Sequence, residues 1–215
     1  MEINVNHYIE FLFAENEKQN LISRQAGRED VLSHIEDSLA ALKFVDLSGK
    51  RVIDIGSGAG FPAIILAIHC PDTEFVLVES DLKKSNFLQS CQGLLKLSNV
   101  QIVRARVEEI GQDKEFRGQF DFCSSRAVAA MNIMLEYGLP LLKTGGKQLL
   151  WKGKSVQTEI DEAQNALKIL KGAVEELCPY SLSGDRQRVI VVVNKQAATP
   201  SQYPRRVGIP GKKPL

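Results

Sequence analysis

Asp54-Ile55-Gly56-Ser57-Gly58-Ala59-Gly60 places glycines at 56, 58 and 60, directly after the β-branched run Arg51-Val52-Ile53-Asp54-Ile55. A turn of this kind, between a strand and a helix, lets the backbone approach a nucleotide-like ligand closely, because no Cβ intrudes. The dinucleotide fingerprint is G-x-G-x-x-G, and here Phe61 stands where its third glycine belongs. That spacing disfavours a pyrophosphate cofactor, and with it an NAD-dependent oxidoreductase. It favours an adenosine without phosphate, S-adenosylmethionine, whose sulfonium carries a transferable methyl. Gly56, Ser57, Gly58, Gly60 and Phe61 are therefore the expected core of a donor site.

Three further positions fit that site. Glu79 ends the run Glu74-Phe75-Val76-Leu77-Val78, where a carboxylate can accept hydrogen bonds from both ribose hydroxyls; the alternative is a cap on the next helix. Within Arg104-Ala105-Arg106-Val107-Glu108-Glu109, the backbone of Val107 and the carboxylate of Glu108 suit the adenine edge, unless this is a solvated charged loop. Arg126 closes the run Phe120–Ser125. Its two-pronged guanidinium suits the donor's carboxylate or a substrate phosphate, with a structural salt bridge as the alternative.

What the chain lacks narrows the acceptor. It has no Asn/Asp-Pro-Pro-aromatic motif of the amino-group methyltransferases and no Pro-Cys pair for covalent attack on a pyrimidine. An acceptor with a free lone pair, such as N7 of guanine, needs only positioning, and no catalytic base is assigned. The tail Tyr203-Pro204-Arg205-Arg206-Val207-Gly208-Ile209-Pro210-Gly211-Lys212-Lys213-Pro214-Leu215 interleaves an aromatic with basic pairs. Tyr203 can stack on an exposed base, and Arg205, Arg206, Lys212 and Lys213 can meet RNA phosphates, or the tail is a solvated terminus. Four single-strand phosphates would give a log–log salt slope near −3. Removing the tail should then weaken RNA methylation and spare donor affinity.

The elements that must position these residues read as one α/β domain with attachments. The 215 residues are 44% hydrophobic and 25% charged, with net charge +1, ordinary for a globular protein. The tail's four cations exceed that net charge, so the remainder is acidic. Residues 1–47 read as a helical extension, 48–197 as the Rossmann-like domain and 198–215 as the basic tail. Strands are expected near 51–55, 74–79, 100–104, 119–124 and 147–151, alternating with helices near 61–68, 82–95, 129–142 and 156–170. Two late strands, near 174–178 and 188–193, have only Ser183-Gly184-Asp185 between them. The expected fold is therefore a mostly parallel seven-stranded sheet ending in an antiparallel hairpin, the class I methyltransferase architecture. The four cysteines are scattered and the three histidines isolated, so neither disulfides nor a metal are expected. No apolar run approaches the ~18–20 residues of a membrane helix. The start lacks a secretory layout, giving a cytoplasmic monomer, with no membrane and no obligate protein partner, as the expectation.

Asn20-Leu21, His34-Ile35-Glu36-Asp37-Ser38-Leu39, the loop Asp54–Pro62, Arg106-Val107-Glu108-Glu109, Ser125-Arg126-Ala127 and the tail motif Tyr203–Pro210 together resemble the RsmG/GidB family of bacterial small-subunit ribosomal RNA guanine-N7 methyltransferases. The resemblance spans nearly the whole chain. It implies donor contacts at Gly56, Phe61, Val107, Glu108 and Arg126. It also implies a substrate, a guanine in the decoding-region loop of 16S rRNA, met as RNA, as the small subunit or as an assembly intermediate. Direct displacement of the sulfonium methyl would leave S-adenosylhomocysteine. Two departures stand out: Ala63 replaces a frequent glycine, and a Trp-Asn pair common in the family is absent at Glu15-Asn16, which leaves the packing of the N-terminal helices open. The competing readings are a small-molecule methyltransferase lidded by the first ~45 residues and an RNA-binding module without catalysis.

Overall fold

The computed structural model describes residues 2–215, with side chains from Asn4 onward. Five strands, β1 (Arg51–Ile55), β2 (Glu74–Val78), β3 (Val100–Val103), β4 (Phe120–Arg126) and β5 (Leu142–Lys152), run parallel, the first three short and rich in β-branched residues. Along β1 and β2 nearly every residue is buried, the continuous apolar pattern of a strand covered on both faces. β6 (Gly172–Leu182) and β7 (Arg186–Lys195) form the antiparallel hairpin, with β7 inserted beside β5. The order across the sheet is β3-β2-β1-β4-β5-β7-β6. It reverses between β1 and β4, and the crevice at such a switch point is where open α/β sheets bind ligands.

One face of the sheet is covered by α1 (Glu2–Asn16), α2 (Arg28–Leu39), α3 (Ala63–His69) and α4 (Leu82–Leu95). Against the other face lie α6 (Met131–Gly138), α7 (Val156–Glu162) and α8 (Gln164–Leu170). The N-terminal helices belong to the same core as the sheet. Tyr8, Ile9 and Leu12 are fully buried, each contributing roughly 1.5–3 kcal/mol of burial, and Phe11 stacks on Phe87 of α4 at 5.5 Å. Asn16 Oδ1 accepts from the amides of Leu21 and Ile22 and so ends α1 and shapes the connection to α2.

Several boundaries differ from the sequence expectation. The helix expected over 129–142 stops at Gly138. A 3₁₀ turn, Leu139–Leu141, follows, and β5 begins at Leu142, well before the expected 147. Pro140 lacks the amide a continuing helix needs. The helix expected over 156–170 is two, parted at Ala163. The charged stretch after β3 contains one helical turn, α5 (Val107–Ile110), and the tail another, α9 (Ile209–Lys212). The cysteines are free thiols, buried at 91, 123 and 178 and half-buried at 70. No helix among the described residues is long and apolar enough to cross a membrane.

Candidate methyl-donor and acceptor site

β1 delivers its chain into the switch-point crevice at Gly56. Gly56 (φ 69°) and Gly58 (φ 53°) both adopt left-handed backbone, which a side chain disfavours. A Cβ on Gly56 would stand 2.8 Å from Val128 Cγ2, so the loops after β1 and β4 close on each other only because residue 56 has none. The loop is braced from below. The Tyr8 hydroxyl donates to Ala59 O at 2.6 Å, which ties the N-terminal extension to the glycine turn. Gly60 plays a packing part: a Cβ there would meet Ile64 Cγ1 at 2.7 Å. Ser57 is buried and its hydroxyl donates to Asp54 O.

Two cavities meet at Gly56. The narrower, about 230 Å³, is walled by Glu79, Ala105, Val107, Glu108, Val128 and Tyr137, with Gly211 at its edge. Glu79 holds the loop, accepting from Gly58 N at 2.9 Å with one oxygen and from Asp81 N at 2.8 Å with the other. The helix cap itself is Asp81, which accepts from Lys84 N. Glu108 is buried; its Oε1 accepts from Gly208 N at 2.9 Å and from the Tyr137 hydroxyl at 3.3 Å. Burial, and then Glu108 beside it, push the Tyr137 phenol up to about 12. Two carboxylates against the single guanidinium of Arg106 repel a phosphate and suit the hydroxyls and ring edge of an adenosine, so these residues fit S-adenosylmethionine.

The wider cavity, about 520 Å³, continues past Gly58 and Phe61 to His34, Arg126, Trp151, Lys152 and a basic rim of Lys84, Arg186 and Arg188; the Lys152 ammonium is paired with Glu159 at 2.6 Å. Phe61 is its floor. Tyr8 stands edge-on to it at 5.5 Å, His34 lies 5.3 Å away and the Arg126 guanidinium sits 5.0 Å above its ring. Arg126 is held there by Asp37, whose Oδ2 accepts from Nη1 at 2.8 Å, and by His34 O. Both side chains are about nine-tenths buried (12% and 10% exposed). The same Asp37 accepts from the Tyr180 hydroxyl at 2.6 Å, and its carbonyl accepts from Trp151 Nε1 at 2.8 Å. One residue of α2 thereby pins the ends of β4, β5 and β6 around the cleft. Burial, then Arg126, lower the His34 pKa, opposed by Asp37 and Asp30. After Arg126 the chain turns through Ala127 at φ 56°, a left-handed conformation that a non-glycine residue adopts at a cost, often at functional sites.

Replacing Asp37 with Ala should destabilise the protein by about 3 kcal/mol, since a buried guanidinium and a buried phenol lose their partner together. Denaturant midpoints would measure it, and Asp37→Asn, which keeps an acceptor, should recover part of the loss. Equal stability of wild type and Asp37→Ala would show that the carboxylate's two contacts, to Arg126 and Tyr180, carry no weight.

Of the expected donor residues, the structure brings Gly56, Ser57, Gly58, Phe61 and Arg126 to the wide cavity and Gly56, Glu79, Val107 and Glu108 to the narrow one. Gly60 lines neither. The expected RNA contacts lie apart from the wide cavity. Arg206, Lys212 and Lys213 are exposed, but Tyr203 packs on the core and Arg205 does not reach outward. Its guanidinium grips Glu136, itself 1% exposed at the side chain, at 2.6–3.1 Å. The composition of the tail could not reveal that partner, which lies on α6. Sequence reasoning also passed over Tyr8, Trp151, Lys152, Arg186 and Arg188 as site residues. A lone Trp at a strand end and an Arg-x-Arg beside a hairpin turn were the available signals.

The model of the family "rRNA small subunit methyltransferase G", GidB, matches residues 1–189. The chain belongs to the rRNA small subunit methyltransferase G family. A "Ribosomal RNA small subunit methyltransferase G" from Syntrophomonas wolfei is 56% identical over 215 residues, covering 100% of both chains. One from Desulfitobacterium hafniense is 44% identical over 97% of this chain and 87% of its own. Among solved structures the chain is similar to M. jannaschii TYW2 in complex with AdoMet (TM-score 0.60, 15% identity, covering 80% of this chain and 79% of that one). It is also similar to a SAM-dependent methyltransferase from Aquifex aeolicus (TM-score 0.57, 15% identity, covering 75% and 91%). These distant likenesses establish the class I methyltransferase fold. As a GidB family member the protein is a methyltransferase whose donor is S-adenosylmethionine.

Proposed function

We propose that the protein methylates N7 of a guanine in the decoding-region loop of 16S rRNA, with the adenosine of the donor in the narrow cavity and the target base in the wide one. The observation that carries this reading is the basic rim of the wide cavity, Lys84, Arg186 and Arg188, around an aromatic floor; Lys152, also on the wall, is neutralised by Glu159 at 2.6 Å. Cations suit the phosphates flanking an extruded nucleotide, and Phe61 and Trp151 suit its ring. S-adenosylmethionine, when bound, supplies an electrophilic methyl. The chain's own residues then have only to position the acceptor: N7 has a lone pair and needs no base. In an A-form helix that edge faces a deep, narrow groove that side chains do not enter. The target is therefore a loop nucleotide, reached on the small subunit or during its assembly in the cytoplasm.

Incubation with labelled S-adenosylmethionine and undermodified small subunits, followed by N7-methylguanine-specific cleavage, should place the label on one guanine of 16S rRNA. Donor binding without transfer to RNA would sink this reading. The tail adds a second expectation. With Arg205 engaged by Glu136, three exposed cations remain, so Arg206→Ala, Lys212→Ala and Lys213→Ala together should flatten the log–log salt slope of RNA binding by about 2. An unchanged slope would mean that these cations meet no phosphate.

A further inference from the structure

The C-terminal segment lies beyond the part of the chain that the family model matches, yet it is fastened to the core at many points. Arg117 donates to the carbonyls of Thr199, Pro200 and Tyr203, and Gln112 to those of Ser201 and Pro204. Pro204 occupies the space that a side chain at residue 111 would need; a Cβ on Gly111 would stand 2.5 Å from its Cγ. Gly111 immediately follows α5, the turn that carries Val107 and Glu108. Two buried carboxylates, Glu136 and Glu108, take their amide hydrogen bonds from this segment, from Arg205 N at 2.8 Å and Gly208 N at 2.9 Å. Gly208 makes its turn at φ 78°, and the chain then passes Gly211 along the narrow cavity.

From this we infer that the end of the C-terminal segment, Val207–Lys212, is a working part of the donor site: it forms the outer wall of the adenosine cavity and holds Glu108 in place for the ring edge. The inference rests on the reading of that cavity as the adenosine site. The physical reason is the accounting of Glu108. A buried carboxylate oxygen that loses a donor must be resolvated or reoriented, and Glu108 lies on the one-turn helix that borders the cavity. With Gly208 N and the Tyr137 hydroxyl both on Oε1, its Oε2 has no protein donor among the described residues and is left to accept from a ligand in the cavity that Glu108 lines. The basic tail is then bound to donor affinity as well as to RNA, contrary to the expectation from composition alone that its loss would spare the donor.

Hydrogen exchange on the intact protein tests this, with and without S-adenosylmethionine or 5′-methylthioadenosine, which keeps the adenosine and lacks the amino acid. Both ligands should slow exchange at residues 105–108 and also at 207–212. In parallel, a chain ending at Arg206 keeps the Arg117, Gln112 and Glu136 fastenings. It should still unfold cooperatively, at a midpoint lowered by the loss of the Glu108 donor, of buried Pro210 and of Leu215. Well below that midpoint it should bind both ligands about tenfold more weakly, a change of about 1.4 kcal/mol. Protection at 105–108 without protection at 207–212, or an unchanged Kd for the shortened chain, overturns the inference. Protection at neither segment overturns the placement of the adenosine instead. Should the shortened chain fail to fold, the exchange pattern of the intact protein decides alone.

Discussion

Gly58→Val should lower the affinity for S-adenosylmethionine by at least about a hundredfold, near 3 kcal/mol. Two effects combine. Gly58 sits at φ 53°, where an L residue pays about 1–2 kcal/mol and a β-branched one more. Its amide donates to Glu79 Oε2 at 2.9 Å, so a backbone that relaxes to relieve the strain releases the carboxylate proposed to hold the ribose. The nearest atom to a Cβ at this position is Gly56 O at 3.7 Å, so the Cβ itself meets no clash, and the cost arises from the backbone strain and from the ligand side of the loop. Titration calorimetry would measure the loss, with a denaturation curve to show that the protein still folds. Affinity near the wild-type value would move the donor away from this loop.

Gly58 also marks what the sequence makes legible. β1, the glycine turn and α3 are local: a β-branched run, three glycines and an apolar helix follow one another directly, and their periodicities are enough to place them. Glu79 belongs to the same local grammar because the second strand of such a unit must end beside the first. The alternation of the remaining strands and helices fixes the sheet class, and the short Ser183-Gly184-Asp185 connection fixes the hairpin. Less legible is anything set by contact between distant segments. Asp37 on α2 meets Arg126, Trp151 and Tyr180 across 89 to 143 residues of chain, and no spacing rule links them. Arg205 reads as a free cation until Glu136 is found 69 residues away. The salt bridge that is the alternative for Arg126 in the sequence exists, and it coexists with a place on the cavity wall, so one side chain satisfies both readings of its position.

Asp54 shows the same coexistence at the base of the glycine turn, and it predicts a pH dependence. Its Oδ1 accepts from Ser124 Oγ at 2.6 Å, while Oδ2 is buried without a hydrogen-bond partner among the described residues. Burial pushes this carboxyl up to about 7 from an ordinary 3.8, against the pull of Ser124, Ser57 and Arg126. A folded-state pKa above the unfolded one means that the folded protein keeps a proton the unfolded chain has released. Stability from this group is complete below about pH 4 and is lost as pH rises through about 7, by at most about 1.4 kcal/mol per unit. Asp54→Asn keeps the oxygen that Ser124 needs and removes the titration. In the donor-free protein, the variant's stability relative to wild type should therefore grow by up to about 3 kcal/mol between pH 5 and pH 7 and then level off. His34, with its lowered pKa, contributes a slope of the opposite sign, lost as pH falls, but it does so in both proteins and cancels in the difference. Urea midpoints across pH 5–8 would reveal the divergence; parallel curves would mean that Asp54 is ionised throughout and that the strand end tolerates a buried charge beneath the loop.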